Sequence, residues 1–262
     1  MSKTSDSFET FYQFKKVNKK NSIVFIHGVG LNNEIWQTQT NYFKDYNILT
    51  YDLPGHGKTP LKKTKLNFDD YIKQLLELTT ELNLEKIHLV GFSLGALIAR
   101  NFASTYNDKL SSLVLHGSIY KRTKDQERVV MNRFNVSKMN KEASKQGAIR
   151  RWFSEEFIKK NQDIYNKIYM CLKNNNLKNF LKSYDLFVNF KDDDDTINKI
   201  NTNTLITTGE NDVGSTPEMA RNLSKKIKNS KVQIIKNGKH LCNIECAEIF
   251  NITIKKFIDK HG

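Results

Sequence analysis

The chain has 262 residues, of which 38% are hydrophobic and 27% charged, and it carries a net charge of +14. Those proportions belong to a globular chain able to bury a sizeable core, in one large α/β domain or in a core with an insertion, and they exclude intrinsic disorder. No run of about 18 apolar residues occurs, so no membrane-spanning helix is expected. The positive balance raises the question of nucleic acid. Yet the lysine pairs 15–16, 19–20, 62–63, 225–226 and 255–256 fall on different predicted elements. With no basic stripe interleaved with aromatics and no nucleic-acid motif, the charge reads as a compositional bias that can still attract anionic substrates. Neither a nucleic acid nor a membrane is expected as a partner. Residues Met1 to Glu9 lack the apolar centre of a signal peptide. The three cysteines, Cys171, Cys242 and Cys246, show no metal-ligand spacing and leave an odd thiol. The expected setting is reducing and cytoplasmic, with no metal.

Taken in order, Phe8 to Lys16 predicts an early edge strand, and Asn21 to Ile26 a compact buried strand followed by the loop His27-Gly28-Val29-Gly30-Leu31. A short helix follows from Asn32. Tyr46 to Tyr51 is the next strand and runs into the breaker-rich turn Asp52-Leu53-Pro54-Gly55-His56-Gly57. Asn67 can cap a helix from Phe68 to Leu82, whose Tyr71, Ile72, Leu75, Leu76, Leu78 and Leu82 give one apolar face. From Lys86 the apolar run Ile87, Leu89, Val90 predicts a central parallel strand, then a sharp turn and a helix to about Tyr106. The turn is Gly91-Phe92-Ser93-Leu94-Gly95, a G-x-S-x-G pentapeptide. In this strand–turn–helix context the serine is raised at the carboxyl end of the sheet, beside a helix N-terminus that favours negative charge. Leu110 to His116 is one more strand. The alternation predicts a mostly parallel sheet with helices on both faces.

From about Tyr120 to Thr196 helical periods dominate, over Lys124–Phe134, Lys141–Phe153, Glu155–Lys173 and Leu177–Phe190. Residues 1–119 and 197–262 are therefore expected to form an α/β core, and residues 120–196 a helical cap inserted over the sheet's carboxyl edge. The acidic run Asp192 to Asp195 is expected to be a solvated return to that core. Asn203 to Thr208 is then a strand with the loop Gly209 to Thr216. Pro217 opens a helix to about Ile227. Lys231 to Ile235 is the last strand, Asn237 to His240 its loop, and Glu245 to Lys260 a closing helix.

Three chemical groups fall on corresponding loops. Ser93, Asp212 and His240 each follow a parallel strand, so all three emerge on one sheet edge. A serine hydroxyl needs a base to take its proton, and the base needs a carboxylate on its other nitrogen. Glu210 is the alternative acid. His27, His56, His88 and His116 compete as the base, but only His240 lies between the last strand and the last helix. The oxyanion of an attacked carbonyl would take backbone N–H groups of Leu94 and Val29.

With these residues assembled, the chain resembles the α/β-hydrolase superfamily. The resemblance rests on His27-Gly28-Val29-Gly30, Asp52 to Gly57, Gly91 to Gly95, Gly209 to Asp212, and His240. Within the superfamily it is similar to the 3-oxoadipate enol-lactonase-like carboxylic-ester hydrolases, with Arg151-Trp152-Phe153 and Gly214 to Pro217 adding to the match. It departs from them at Lys239, where a glycine usually precedes the base. The resemblance implies an α/β-hydrolase fold and hydrolysis of a small-molecule ester or lactone through an acyl-enzyme, without a cofactor, by a monomer or homodimer. C–C bond hydrolysis with the same three groups and a non-catalytic small-ligand receptor are the alternatives. Trp152, Arg151 and Phe153 are the substrate-binding candidates. Phe157, Tyr165, Phe180 and Phe187 are further aromatics of a pocket or of the cap's own core, and Arg150 or Arg151 is either a partner for a substrate carboxylate, as an oxoadipate-type lactone would require, or part of a solvated helix face.

Overall fold

The computed structural model describes residues 2–3, 6–17 and 21–261; Met1 and the Lys19–Lys20 pair lie outside them. Eight strands are found among the described residues: β1 Ser2–Lys3, β2 Phe11–Lys15, β3 Ser22–Ile26, β4 Ile48–Tyr51, β5 Ile87–Phe92, β6 Leu110–His116, β7 Thr204–Gly209 and β8 Ser230–Ile235. They make one sheet in the order β1-β2-β4-β3-β5-β6-β7-β8. The β1–β2 and β2–β4 pairs are antiparallel, and every later pair is parallel. Every residue of β3, β5 and β7 is buried, as expected of strands covered on both faces.

Helices α1 Gln37–Tyr42, α2 Phe68–Glu81 and α3 Leu94–Thr105 alternate with the first strands. Between β6 and β7 lie α4 Lys124–Met139, α5 Lys141–Trp152, α6 Glu155–Lys160, α7 Gln162–Lys173, α8 Leu177–Asn189 and α9 Asp194–Asn198. Then come α10 Pro217–Ser224, α11 Cys242–Glu245 and α12 Ala247–Lys260. Leu75 of α2, Leu97 and Phe102 of α3 and Leu223 of α10 share one apolar cluster; Trp36, Phe43 and Phe250 belong to another. Helices thus cover both faces of the sheet. Among the described residues no helix is long and apolar enough to cross a membrane.

Two predicted helices are interrupted. The stretch Glu155–Lys173 breaks at Asn161, whose side chain turns back to the Phe157 carbonyl at 2.9 Å and so competes with helix continuation. The closing helix starts at Ala247, because Cys246 leaves helical geometry with φ −117. The acidic run differs most from expectation. The Asp192 side chain is only 5% exposed and pairs with the Arg100 side chain of α3, 3% exposed, at 2.5 Å. Its second oxygen accepts the Lys121 N–H at 2.7 Å, and Arg100 also donates to the Ile119 carbonyl. One carboxylate thereby ties both ends of the helical insertion to α3. A run of like charges looks solvated in sequence; here a buried guanidinium recruits one member.

Four histidines are built into the scaffold. Leu53 N–H donates to His27 Nε2 at 3.0 Å, so the proton sits on Nδ1 and goes to the Gly28 carbonyl. His56 contacts the Pro54 carbonyl, His88 the Ser112 hydroxyl and His116 the Thr207 hydroxyl. Burial holds all four below the usual imidazole range, His27 and His88 at about 4 and His56 and His116 at about 3.

Two outcomes are expected. Asp192→Asn leaves a buried guanidinium without its carboxylate and should cost about 3–5 kcal/mol in urea unfolding. Arg100→Leu combined with Asp192→Leu should recover much of that loss, and an unchanged midpoint for the single variant would refute the tie. Below about pH 6.5 the unfolded chain protonates these four imidazoles while the folded chain keeps them neutral. Stability from them is therefore complete above that pH and falls toward pH 4, by up to about 1.4 kcal/mol per histidine per pH unit. Urea midpoints at pH 7 and pH 5 measure it, and equal midpoints would count against buried neutral histidines.

Candidate active site

The pentapeptide folds as a strained strand-to-helix turn. Ser93 has φ 55 and ψ −113, a conformation that costs a non-glycine residue on the order of 1–3 kcal/mol. Its N–H is anchored on the His116 carbonyl of β6 at 2.9 Å, and its carbonyl accepts the first turn of α3. The flanking glycines are required by contact. A Cβ on Gly91 would lie 2.2 Å from the Gly95 oxygen, and one on Gly95 would lie 2.3 Å from the Ile26 oxygen. Leu94 is the first residue of α3, so its N–H is one of the donors a helix start leaves unpaired, while its side chain is buried in the core.

Facing this helix start is the loop after β3. Leu31 N–H closes a turn on the Gly28 carbonyl, and Gly30 takes the positive φ of 76 that such a turn asks of its third residue. Val29 sits at the turn's second position and lines the cavity described below. The segment after this turn is tied to the loop after β4 by Asp52, whose carboxylate accepts from the Asn33 backbone and side chain and from the Lys58 N–H.

The loops after β7 and β8 are bonded to one another before they present any chemistry. Glu210 N–H donates to the Ile235 carbonyl and Asn211 N–H to the Gly238 carbonyl. Glu210 uses its carboxylate on the Asn237 N–H at 3.0 Å, which leaves Asp212 as the acid beside the histidine. His240 Nδ1 donates to Asp212 Oδ2 at 2.6 Å. The other Asp212 oxygen accepts the N–H groups of Gly214 and Ser215 at 2.8 and 3.0 Å. Burial pushes the Asp212 carboxyl up, but His240 and those N–H groups together outweigh it and hold the group below the ordinary carboxylate range. With Nδ1–H committed to Asp212, the neutral ring keeps an acceptor at Nε2. The ring also packs on Phe92, the neighbour of Ser93, at a centroid distance of 4.8 Å.

Ser93, Asp212 and His240 all line one cavity of about 320 Å³. Ser93 and His240 share it without a hydrogen bond between them, a looseness common before substrate binds. Helices between β6 and β7 supply part of its lining. Arg151, Trp152, Phe180 and Phe187 line the cavity. Phe153 does not: it is 1% exposed and stacks on Phe157 at 5.1 Å, which makes it part of the core beneath. Arg150 is exposed, and its carbonyl accepts Lys239 Nζ at 3.0 Å. The lysine standing where a glycine is usual thus fastens the loop of His240 to the end of α5. Glu245 adds a second fastening by accepting the N–H groups of Lys239 and Ser154. Nothing in the spacing of Glu245 marks it as the link to Ser154, since that contact joins residues 91 apart in sequence. Among the described residues no three His, Cys, Asp or Glu side chains are grouped as metal ligands.

Comparison with known proteins agrees with this architecture. The family described as alpha/beta hydrolase fold matches residues 21–246. The (E)-2-((N-methylformamido)methylene)succinate hydrolase of Acinetobacter baylyi is 28% identical over 247 residues, covering 90% of each chain. The 3-oxoadipate enol-lactonase 2 of the same organism is 21% identical, over 89% of this chain and 87% of its own. In shape, the enol-lactonase of Burkholderia xenovorans LB400 superposes with a TM-score of 0.87 at 19% identity, over 95% of this chain and 96% of that one. The chain belongs to the α/β-hydrolase fold family.

Proposed function

We propose that this protein hydrolyses a carboxylic ester or lactone of a small molecule, with Ser93 as nucleophile, His240 as base and Asp212 as its orienting acid. The observation that carries the reading is the 2.6 Å bond from His240 to the buried Asp212 in the cavity that Ser93 lines. His240 Nε2 takes the Ser93 proton as Oγ attacks the carbonyl. The resulting oxyanion is held by the N–H groups of Val29 and Leu94, each worth about 10²–10³ in rate. His240 then returns the proton to the departing alkoxide, leaving an acyl-enzyme. Water attacks this ester with His240 again as base, and the acid leaves with Ser93 restored. No step calls for a cofactor. Residues 120–196 act as a cap over the core formed by 1–119 and 197–262, and Trp152 and Arg151 contribute to substrate contact. The name of one curated relative, an enol-lactonase, supports an ester or lactone bond, and that of the other supports hydrolysis.

The test is turnover of short 4-nitrophenyl esters and labelling by a fluorophosphonate. Both should vanish in Ser93→Ala at an unchanged unfolding midpoint, while Asp212→Asn should lower kcat by about 10³–10⁴. Wild-type turnover in the Ser93 variant would sink the nucleophile assignment. A steady-state preference for a vinylogous diketone would replace ester hydrolysis with C–C bond hydrolysis.

A further inference from the structure

The turn that carries Val29 is gripped from the helical insertion. Asn175, in the connection between α7 and α8, donates its side-chain amide to the Gly30 carbonyl at 2.6 Å, across 145 residues of chain. The Cys171 thiol approaches the same oxygen at 3.8 Å, and a thiol is the weaker donor. Gly30 has no spare room on that side. A Cβ there would lie 2.9 Å from Phe180 Cε2 and 3.4 Å from Leu172 Cδ2. Residues of α7, of α8 and of their connection thus close on one glycine of the loop after β3.

Two peptide groups lead from that contact to the Val29 N–H. The Gly30 carbonyl shares a peptide plane with the Leu31 N–H, which donates to the Gly28 carbonyl at 3.3 Å. The Gly28 carbonyl shares its own plane with the Val29 N–H, and it also accepts His27 Nδ1–H at 2.8 Å. In a trans peptide group N–H and C=O point opposite ways, so a bond made to one end orients the other. Hydrogen bonds in such a series also polarise one another, so a donor at the Gly30 carbonyl strengthens each N–H further along. Gly30 is the residue of the turn freest to change its backbone angles, and the bond that closes the turn is long. Asn175 pins the carbonyl of that very residue. The outcome matters at the nucleophile candidate, because Gly28 abuts it: a Cβ on Gly28 would lie 3.2 Å from Ser93 Cβ. Asn175, Val29 and Ser93 line the same cavity.

We propose that Asn175 is a positioning residue for the oxyanion site: by pinning the Gly30 carbonyl it sets the orientation of the Val29 N–H. The helical insertion then supports the machinery at Ser93 as well as lining the cavity. This inference rests on the hydrolase reading.

The experiment separates the oxyanion from ground-state binding. Ser93 Oγ adds to the carbonyl of an aryl trifluoromethyl ketone, its proton passes to His240, and the carbonyl electron pair becomes an oxyanion like that of the hydrolytic intermediate. The matching methyl ketone binds without adding. Asn175→Ala should raise Ki for the trifluoromethyl ketone about tenfold and lower kcat on 4-nitrophenyl esters by a similar factor, the range of one supporting hydrogen bond. That is well short of the roughly 10²–10³ of a direct donor. KM and the methyl ketone Ki should stay within about twofold of wild type, a range far below one power of ten in binding. Asn175→Asp keeps the shape, turns an acceptor toward the Gly30 carbonyl, and should lose at least as much. A ratio of the two Ki values unchanged in both variants would overturn the role. So would equal weakening of both ketones with a lowered urea midpoint, which marks a general loosening of the pocket. Wild-type protein that neither turns over esters nor adds the trifluoromethyl ketone would sink the hydrolase reading and the positioning role with it. Wild-type turnover with an unchanged ratio in the variants would sink the positioning role alone.

Discussion

The closest constraint in the molecule is the passage of the turn between β5 and α3 against the end of β3. With hydrogen atoms alone at Gly91 and Gly95, the backbone of the turn meets the carbonyls of Ile26 and its own first helical turn at contact distance. That approach fixes where α3 begins and places its unpaired N–H groups beside the Gly28–Leu31 turn. It also forces Ser93 into a positive φ, a strain held by its bond to the neighbouring strand β6. The loops after β7 and β8 then need only reach the same sheet edge. Their mutual hydrogen bonds make them one unit, so Asp212 and His240 arrive together.

Charge in the interior is handled in three ways, and the difference separates scaffold from chemistry. His27, His56, His88 and His116 stay neutral, and each of these rings bonds to a carbonyl or a hydroxyl. Arg100 and Asp192 are both buried and answer each other, which joins the helical insertion to the helix that begins at the nucleophile candidate. Any shift of the insertion therefore pulls on α3. Arg122 and Arg151 in the cavity wall belong to neither kind: their bonds within the fold go to carbonyl oxygens, and Asp192 and Glu127 act on Arg122 without bonding to it.

Much of this was legible in the chain. The apolar runs of β3, β5 and β7, the caps at Asn67 and Thr216, and the pentapeptide at Ser93 all carry local signals, because strand burial, capping and sharp turns are decided by neighbours in sequence. Asp212 and His240 were legible through topology: a parallel sheet delivers every such loop to one edge. The helix break at Asn161 was missed because an apolar period continues through it, while its cause lies in one side chain's choice of carbonyl. Phe153 was misplaced for a related reason. A helix end shows which residues are apolar but not which face meets a cavity and which meets Phe157.

The sequence by itself determined the fold class, the parallel edge and the types of group delivered there, since each follows from period, steric allowance and strand order. Only the tertiary structure showed that Asp212 bonds to His240 while Glu210 accepts the Asn237 N–H, because both bonds join separate loops. It alone revealed that the side chain of one aspartate of an acidic run is buried, and that arginines 11 and 18 residues apart (122 to 133, 133 to 151) line one cavity. Such pairings are set by packing between elements remote along the chain, where no local pattern records the distance. The turn at Gly91 to Gly95 is legible at both levels, because its constraint is steric and short in range.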